Sequence, residues 1–179
     1  MNIFSLIALL IIFNSPQDEK NKGLNVVPYV DLEKYSGLWY EIARLPNKFQ
    51  NKCAGNVTAS YKLQEDGKIN VINRCVREDG STIEAEGVAK LADKNGPNTK
   101  LKVRFAPAIL SFLPFVWGDY WIIELAEDYS YAVVGEPNRK YLWILSRKPQ
   151  MNAELYENLL NKIKSFGYDV SKIVRTKQK

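Results

Sequence analysis

Val57-Thr58-Ala59-Ser60-Tyr61-Lys62-Leu63, then Glu65-Asp66-Gly67, then Ile69-Asn70-Val71-Ile72-Asn73 is the stretch that decides the fold. Apolar and polar side chains alternate on both arms, the period of a half-buried strand, and Asp-Gly between two such arms is a strong tight-turn signal. Centring the hairpin on Asp66 sets Leu63, Tyr61, Ala59 and Val57 opposite Ile69, Val71, Asn73 and Cys75. One face of the ribbon is therefore largely apolar. Two strands cannot bury that face alone, so more must follow.

Further strands are predicted upstream at 38–44 and downstream at 82–91, 100–105, 120–125, 131–135 and 141–147. The clearest sets Leu101, Val103 and Phe105 on one face and Lys100, Lys102 and Arg104 on the other. Asp93-Lys94-Asn95-Gly96-Pro97-Asn98 and Gly135-Glu136-Pro137-Asn138 punctuate the series with turn formers. Eight strands at hairpin spacing bury a common apolar face by closing into an all-β, antiparallel up-and-down barrel. Such a barrel is either filled or holds one small ligand. The period then changes: Met151, Leu155, Leu159, Ile163 and Phe166 recur every three or four residues, and Gly167 follows as a stop. One amphipathic α-helix packs outside the barrel.

At 179 residues and 46% hydrophobic, the chain is one domain in size and rich enough in apolar side chains to exclude global disorder. It contains no histidine. That excludes Ser-His-Asp and Cys-His catalysis and histidine-based metal sites, and no metal or cofactor is expected. No apolar run reaches the roughly 18 residues of a spanning helix. The run at 3–13 has signal-peptide length, so residues 1–15 read as an export signal and 16–25 as a polar linker. Residues 26–179 then form the barrel domain with its helix and a basic tail. No cysteine follows the leader, so a lipoprotein anchor is not expected.

In an exported chain, Cys53 and Cys75 read as one disulfide, the alternative being two buried thiols. Simple register sets Val57, not Cys53, opposite Cys75, so a bridge requires the chain near Gly55 to curl back. The net charge of +5 resides in the tail, where residues 161–179 carry six cations against Asp169. This is a solvated terminus or a weak contact for anionic lipid headgroups. No nucleic-acid motif accompanies it.

Three segments occur in order: Gly37-Leu38-Trp39-Tyr40-Glu41-Ile42-Ala43-Arg44, Glu127-Asp128-Tyr129-Ser130-Tyr131 and Leu142-Trp143-Ile144-Leu145-Ser146-Arg147. Together they resemble the three signature regions of the lipocalins, and the first and third are similar to the bacterial outer-membrane, apolipoprotein-D-like group. The resemblance implies a barrel closed at one end and open at the other, carrying a hydrophobic small molecule. Gly37, Trp39, Asp128, Tyr129 and Arg147 would be its structural signature. Trp39 would lie across the closed end with Arg147 stacked on its indole.

Strand alternation places Ala43, Ala59, Tyr61, Val71 and Leu101 inward, together with Val103, Phe105, Tyr120, Ile122 and Trp143. These are the candidate ligand contacts, an apolar lining with a few phenols to orient a polar head, unless they pack a solid core. Glu41 and Glu124 share the inward parity and would need hydrogen bonds or neutralisation. Arg74 and Arg77, near the mouth, are candidates to meet a carboxylate or phosphate, or are ordinary rim charges. Residues 106–117, Ala-Pro-Ala-Ile-Leu-Ser-Phe-Leu-Pro-Phe-Val-Trp, carry no charge. They form either a flap packed over the cavity or an exposed patch for a membrane or partner.

The expected function is non-catalytic: binding, and carrying or scavenging, a fatty acid, lysophospholipid or similar lipid in the barrel. The alternatives are a membrane- or partner-docking protein using residues 106–117 and a lipid-modifying enzyme. Export implies the periplasm, the outer membrane or secretion.

Overall fold

The computed structural model describes residues 23–179; the expected leader at 1–15 and linker residues 16–22 lie outside the described residues. After a one-turn helix α1 (Leu32–Tyr35), the strands are β1 (Gly37–Arg44), β2 (Gly55–Leu63), β3 (Ile69–Val76) and β4 (Thr82–Leu91). There follow β5 (Lys100–Arg104), β6 (Gly118–Leu125), β7 (Tyr131–Gly135), β8 (Leu142–Ser146), helix α2 (Ala153–Ser165) and a short β9 (Val174–Arg175). Each of β2 to β8 pairs antiparallel with its sequence neighbour, β8 returns to β1, and β1–β2 pairing closes the ring. The hairpin of β2 and β3 has Leu63, Tyr61 and Ala59 opposite Ile69, Val71 and Asn73.

Two apolar clusters result. The inner one gathers Trp39, Tyr61, Val71, Leu101, Ile122 and Leu145 inside the barrel. The outer one packs Tyr156, Leu159 and Ile163 of α2 on Ile42, Val133, Leu142 and Ile144 of the wall. Asn152 caps α2 by accepting from the Glu154 and Leu155 N–H groups, and Gly167 ends it at φ +84°.

Three register shifts break the simple alternation; the first supplies the curl expected near Gly55, and the other two correct expectations. Between Gly55 and Thr58 the β2–β3 ladder slips. Asn56 takes φ +49° there, so the curl that lets Cys53 reach Cys75 falls on the residue after Gly55. The disulfide forms with the two Cα atoms 5.6 Å apart. A bulge between Glu41 and Ala43 turns Ala43 out of the barrel into the cluster beneath α2. A third, between Ile122 and Glu124, turns Glu124 outward as well, where its carboxylate meets Lys162 of α2 at 2.6 Å.

The tail is not a free appendage. β9 pairs with Ala43 and Arg44, and the Asn56 N–H donates to Lys177 O at 2.7 Å. Gln178 Nε2 donates to both Glu41 O and Val57 O at 2.8 Å. A Cβ on Gly55 would stand 2.6 Å from Lys177 O, so this crossing needs a residue without one. The last residues thus fill the gap where β1 and β2 part company above Tyr40 and Thr58.

Candidate functional site: a cup floored by tyrosines

The start of β1 and the end of β8 form the closed end. Trp39 is fully buried and donates from Nε1 to Tyr35 O at 2.8 Å. The Arg147 guanidinium lies 3.8 Å above the Trp39 ring. It also donates to the carbonyls of Lys34 (2.6 Å), Leu38 (2.8 Å) and Ser36 (2.9 Å). A Cβ on Gly37, at φ +97°, would meet Arg147 Nη1 at 3.3 Å. In the turn before β7, Tyr129 holds φ +59° and its hydroxyl accepts the Asp31 N–H at 2.8 Å. Asp128 accepts the Ser130 N–H at 3.0 Å. The Ser130 hydroxyl, and after it that N–H, hold the Asp128 carboxyl below the usual carboxylate range.

Above this lid the interior is packed by side chains that meet across the axis. The Tyr35 and Tyr120 hydroxyls lie 2.8 Å apart, and Tyr120 donates to Tyr61 at 3.0 Å. Tyr35 and Tyr61 stack with centroids 5.6 Å apart. Beside these rings, Val71, Leu101 and Val103 help to line a void of about 10 Å³. That is room for about one water molecule. Ile122 points inward but is sealed, at 0% exposure, in the packing. The closed half is therefore filled rather than hollow.

The open half differs because its inward positions are small. Asn73 pairs with Ala59 on one side and Ala85 on the other, and Gly87 follows Ala85 on the same face of β4. Ala85 faces the interior and is nevertheless exposed, as is Gly118 on β6. Phe105, 42% exposed, packs its ring over Gly87, where a Cβ would stand 2.7 Å from Cδ1. Half-buried Trp143 and Tyr120 complete the visible wall. The cup thus has an apolar wall and a phenolic floor. Of the ten candidate contacts, the structure brings Ala59, Val103, Phe105, Tyr120 and Trp143 to the cup and Tyr61 to its floor. Val71 and Leu101 lie beneath the floor, Ile122 lies in the packing and Ala43 lies outside.

Burial drives the floor phenols up, Tyr61 to about 12 and Tyr35 and Tyr120 well above the ordinary tyrosine range. The unfolded chain releases these protons near pH 10, and the folded chain holds them longer. Their contribution to stability is therefore complete below about pH 10 and is lost as pH rises from there through about 12. Denaturant midpoints should fall across that interval, and Tyr61→Phe should flatten the fall. Tyrosinate absorbance that appears in the floor phenols before unfolding would contradict this.

Around Glu41, the inward carboxylate expected to need hydrogen bonds or neutralisation, lies a cluster whose partners gave no sequence signal. On the mouth side of β1, buried Glu41 pairs with Arg44 at 2.8 Å and accepts from Gln50 Nε2 and Thr176 Oγ1. Gln50 Oε1 in turn accepts from Trp143 Nε1 at 3.0 Å and Asn47 Nδ2 at 2.8 Å. Its members come from β1, β8, the loop between β1 and β2 and the tail, so only the closed barrel brings them together. It fixes the Trp143 ring against the cup wall. By contrast Arg74 pairs with Glu84 across the outer face, and Arg77 bonds the Ser81 hydroxyl in its own turn. Arg74 therefore faces away from the cup, and Arg77 lies at the rim beside Cys53 and Ala54.

Residues 106–117 contain two short turns, Ala108–Leu110 and Pro114–Val116, braced by Trp117 Nε1 donating to Ser111 O at 2.8 Å. Ile109, Phe112 and Phe115 stand 81%, 76% and 80% exposed, so the loop is not a flap packed over the cup.

A closed barrel with an open, apolar-walled end defines a small-molecule-binding protein of the up-and-down β class. Residues 30–178 match the family model of the lipocalin-like domain. The chain is 42% identical over 160 residues to temperature-induced lipocalin-1 of Arabidopsis thaliana, covering 89% of this chain and 85% of that one. It is 37% identical over 171 residues to outer membrane lipoprotein Blc of Escherichia coli K12, covering 95% and 90%. Insecticyanin of Manduca sexta superposes with a TM-score of 0.68 at 24% identity, over 88% of this chain and 86% of that one, a likeness of fold. The chain belongs to the lipocalin family, which binds small hydrophobic ligands.

Proposed function

We propose that this protein binds the acyl chain of a fatty acid, lysophospholipid or similar amphiphile in the open half of its barrel, and carries or scavenges it without covalent chemistry. The carrying observation is the change in inward side-chain size along the axis. Large phenols fill the closed half, and in the other half Ala85 and Gly118 face the interior and are exposed. An acyl tail would lie on Phe105, Val103 and Trp143 and stop at the tyrosine floor, so the cup suits a short or folded chain with its head at the rim. Apolar burial supplies the affinity, about 25 cal/mol per Å² before ordering costs. The reading is tested by titrating the oxidised protein with a fluorescent fatty acid. Saturable binding displaced by lysophosphatidylcholine is expected, and no binding of any acyl ligand would overturn it.

The exposure of Ile109, Phe112 and Phe115 at the mouth favours a second element, in which this loop touches a membrane surface while ligand passes. Export supports that setting. The Cys53–Cys75 disulfide belongs to an oxidising compartment, and one relative is named an outer membrane lipoprotein. The protein would then act in the periplasm, at the outer membrane or after secretion.

A further inference from the structure

Arg104 ends β5 on the outer wall, at the root of the apolar loop, and is only 8% exposed. No ion pair among the described residues includes it. Its Nη1 donates to Ala106 O, its Nε has no hydrogen-bond partner, and its guanidinium stands 5.3 Å from the Trp117 ring centre. Lys90 Nζ stands 4.2 Å over the same ring and likewise enters no ion pair among the described residues. The nearby acids are engaged elsewhere: Asp119 holds Lys102 at 3.0 Å, and Glu86 accepts from Asn70 at 3.0 Å. A buried guanidinium without a counter-charge is costly, so this spot is electrostatically incomplete in the free protein.

We propose that Lys90 and Arg104, which both stand against the braced Trp117, form a headgroup site for the phosphates of an anionic phospholipid bilayer. The site lies on the outer wall, apart from the cup, and rests on the reading of residues 106–117 as the membrane contact. Ile109, Phe112 and Phe115 project from the same loop. Apolar side chains that enter the acyl layer beside cations that stop at the phosphates are the arrangement of an interfacial protein. A leaflet presents both chemistries within one lipid molecule, whereas a protein partner would have to build an acidic patch against an apolar one.

The test is sedimentation of the full chain with vesicles of phosphatidylcholine alone and of phosphatidylcholine mixed with phosphatidylglycerol. The wild type should prefer the mixed vesicles, and the preference should fall with salt. Lys90→Gln and Arg104→Gln should each remove about fivefold of it while leaving binding to neutral vesicles unchanged. Lys164→Gln, exposed on α2, is the charge-matched control and should change it less than about twofold. Phe112→Ser with Phe115→Ser should weaken binding to both kinds of vesicle. Lys90 is exposed, so its variant keeps the test valid if Arg104→Gln does not fold. Equal binding to both vesicles, or a Lys90→Gln variant that retains the full preference, overturns the headgroup site alone. Absence of any vesicle binding with acyl-ligand binding intact overturns the site and the membrane reading of the loop, and leaves the cup.

Discussion

Arg147→Ala should lower the stability of the folded barrel by about 3–4 kcal/mol, the range reached when a hydrogen-bonded network at a core boundary is broken. Three contributions converge on this side chain. Its guanidinium lies 3.8 Å above the Trp39 ring, a stacked contact worth about 1–2 kcal/mol when partly desolvated. Its remaining N–H groups hold the carbonyls of Lys34, Ser36 and Leu38, which join α1 to β1. Those carbonyls lie at the end of the short helix and the start of β1, so their loss loosens the closed end of the barrel. Lysine keeps the charge but neither the plane nor the fork, and should recover less than half of the loss. For a domain of this size the shift in Tm is about 10 °C. Urea and thermal unfolding measure it, and a change under about 1 kcal/mol would remove Arg147 from the structural role assigned to it. Acyl-ligand affinity under native conditions should stay within about twofold, because the contact lies at the end opposite the cup.

Ala85→Trp should reduce acyl-ligand affinity by about thirtyfold or more while changing stability by less than about 1 kcal/mol. The effect is steric. Ala85 faces the interior yet is solvent-exposed, so an indole there enters open space without displacing packed neighbours. That indole takes the volume of three or more methylenes of ligand, each worth about 0.8 kcal/mol of burial. Glu86→Trp, one residue on and facing outward opposite Ile72, adds the same mass to the outer wall and should leave affinity unchanged. Calorimetric titration of the two variants separates an occupied cup from a surface effect. Wild-type affinity in Ala85→Trp would move the ligand out of the open half.

The strand order, the helix and the closed end were legible because each rests on a local pattern: period two around Asp66-Gly67, period 3.6 before Gly167, and the signature segments around Trp39 and Arg147. The boundary between filled and open interior was not legible. Alternation tells which way Ile122 and Val103 face, but not whether something across the axis already occupies the space. Tyr35 decides that, and it arrives from α1, outside any strand pattern. Bulges defeated alternation at Ala43 and Glu124, since one inserted residue reverses every later side chain until the next irregularity. The tail read as solvated because its cations are exposed. Thr176 and Gln178, the residues that bind it to the wall, are polar and carry no periodic signal.

That stitching bears on how the molecule is made. The gap between β1 and β2 at the lip is finished by residues that leave the ribosome after every barrel strand and the helix. A nascent chain that has not yet reached Thr176 therefore has a barrel with an unsealed slit, with Glu41 short of two of its partners. Closure of the wall therefore waits for residues 174–178, which are made after β1 to β8 and α2, and a proteolytic cut before Thr176 would reopen the vessel without touching those strands.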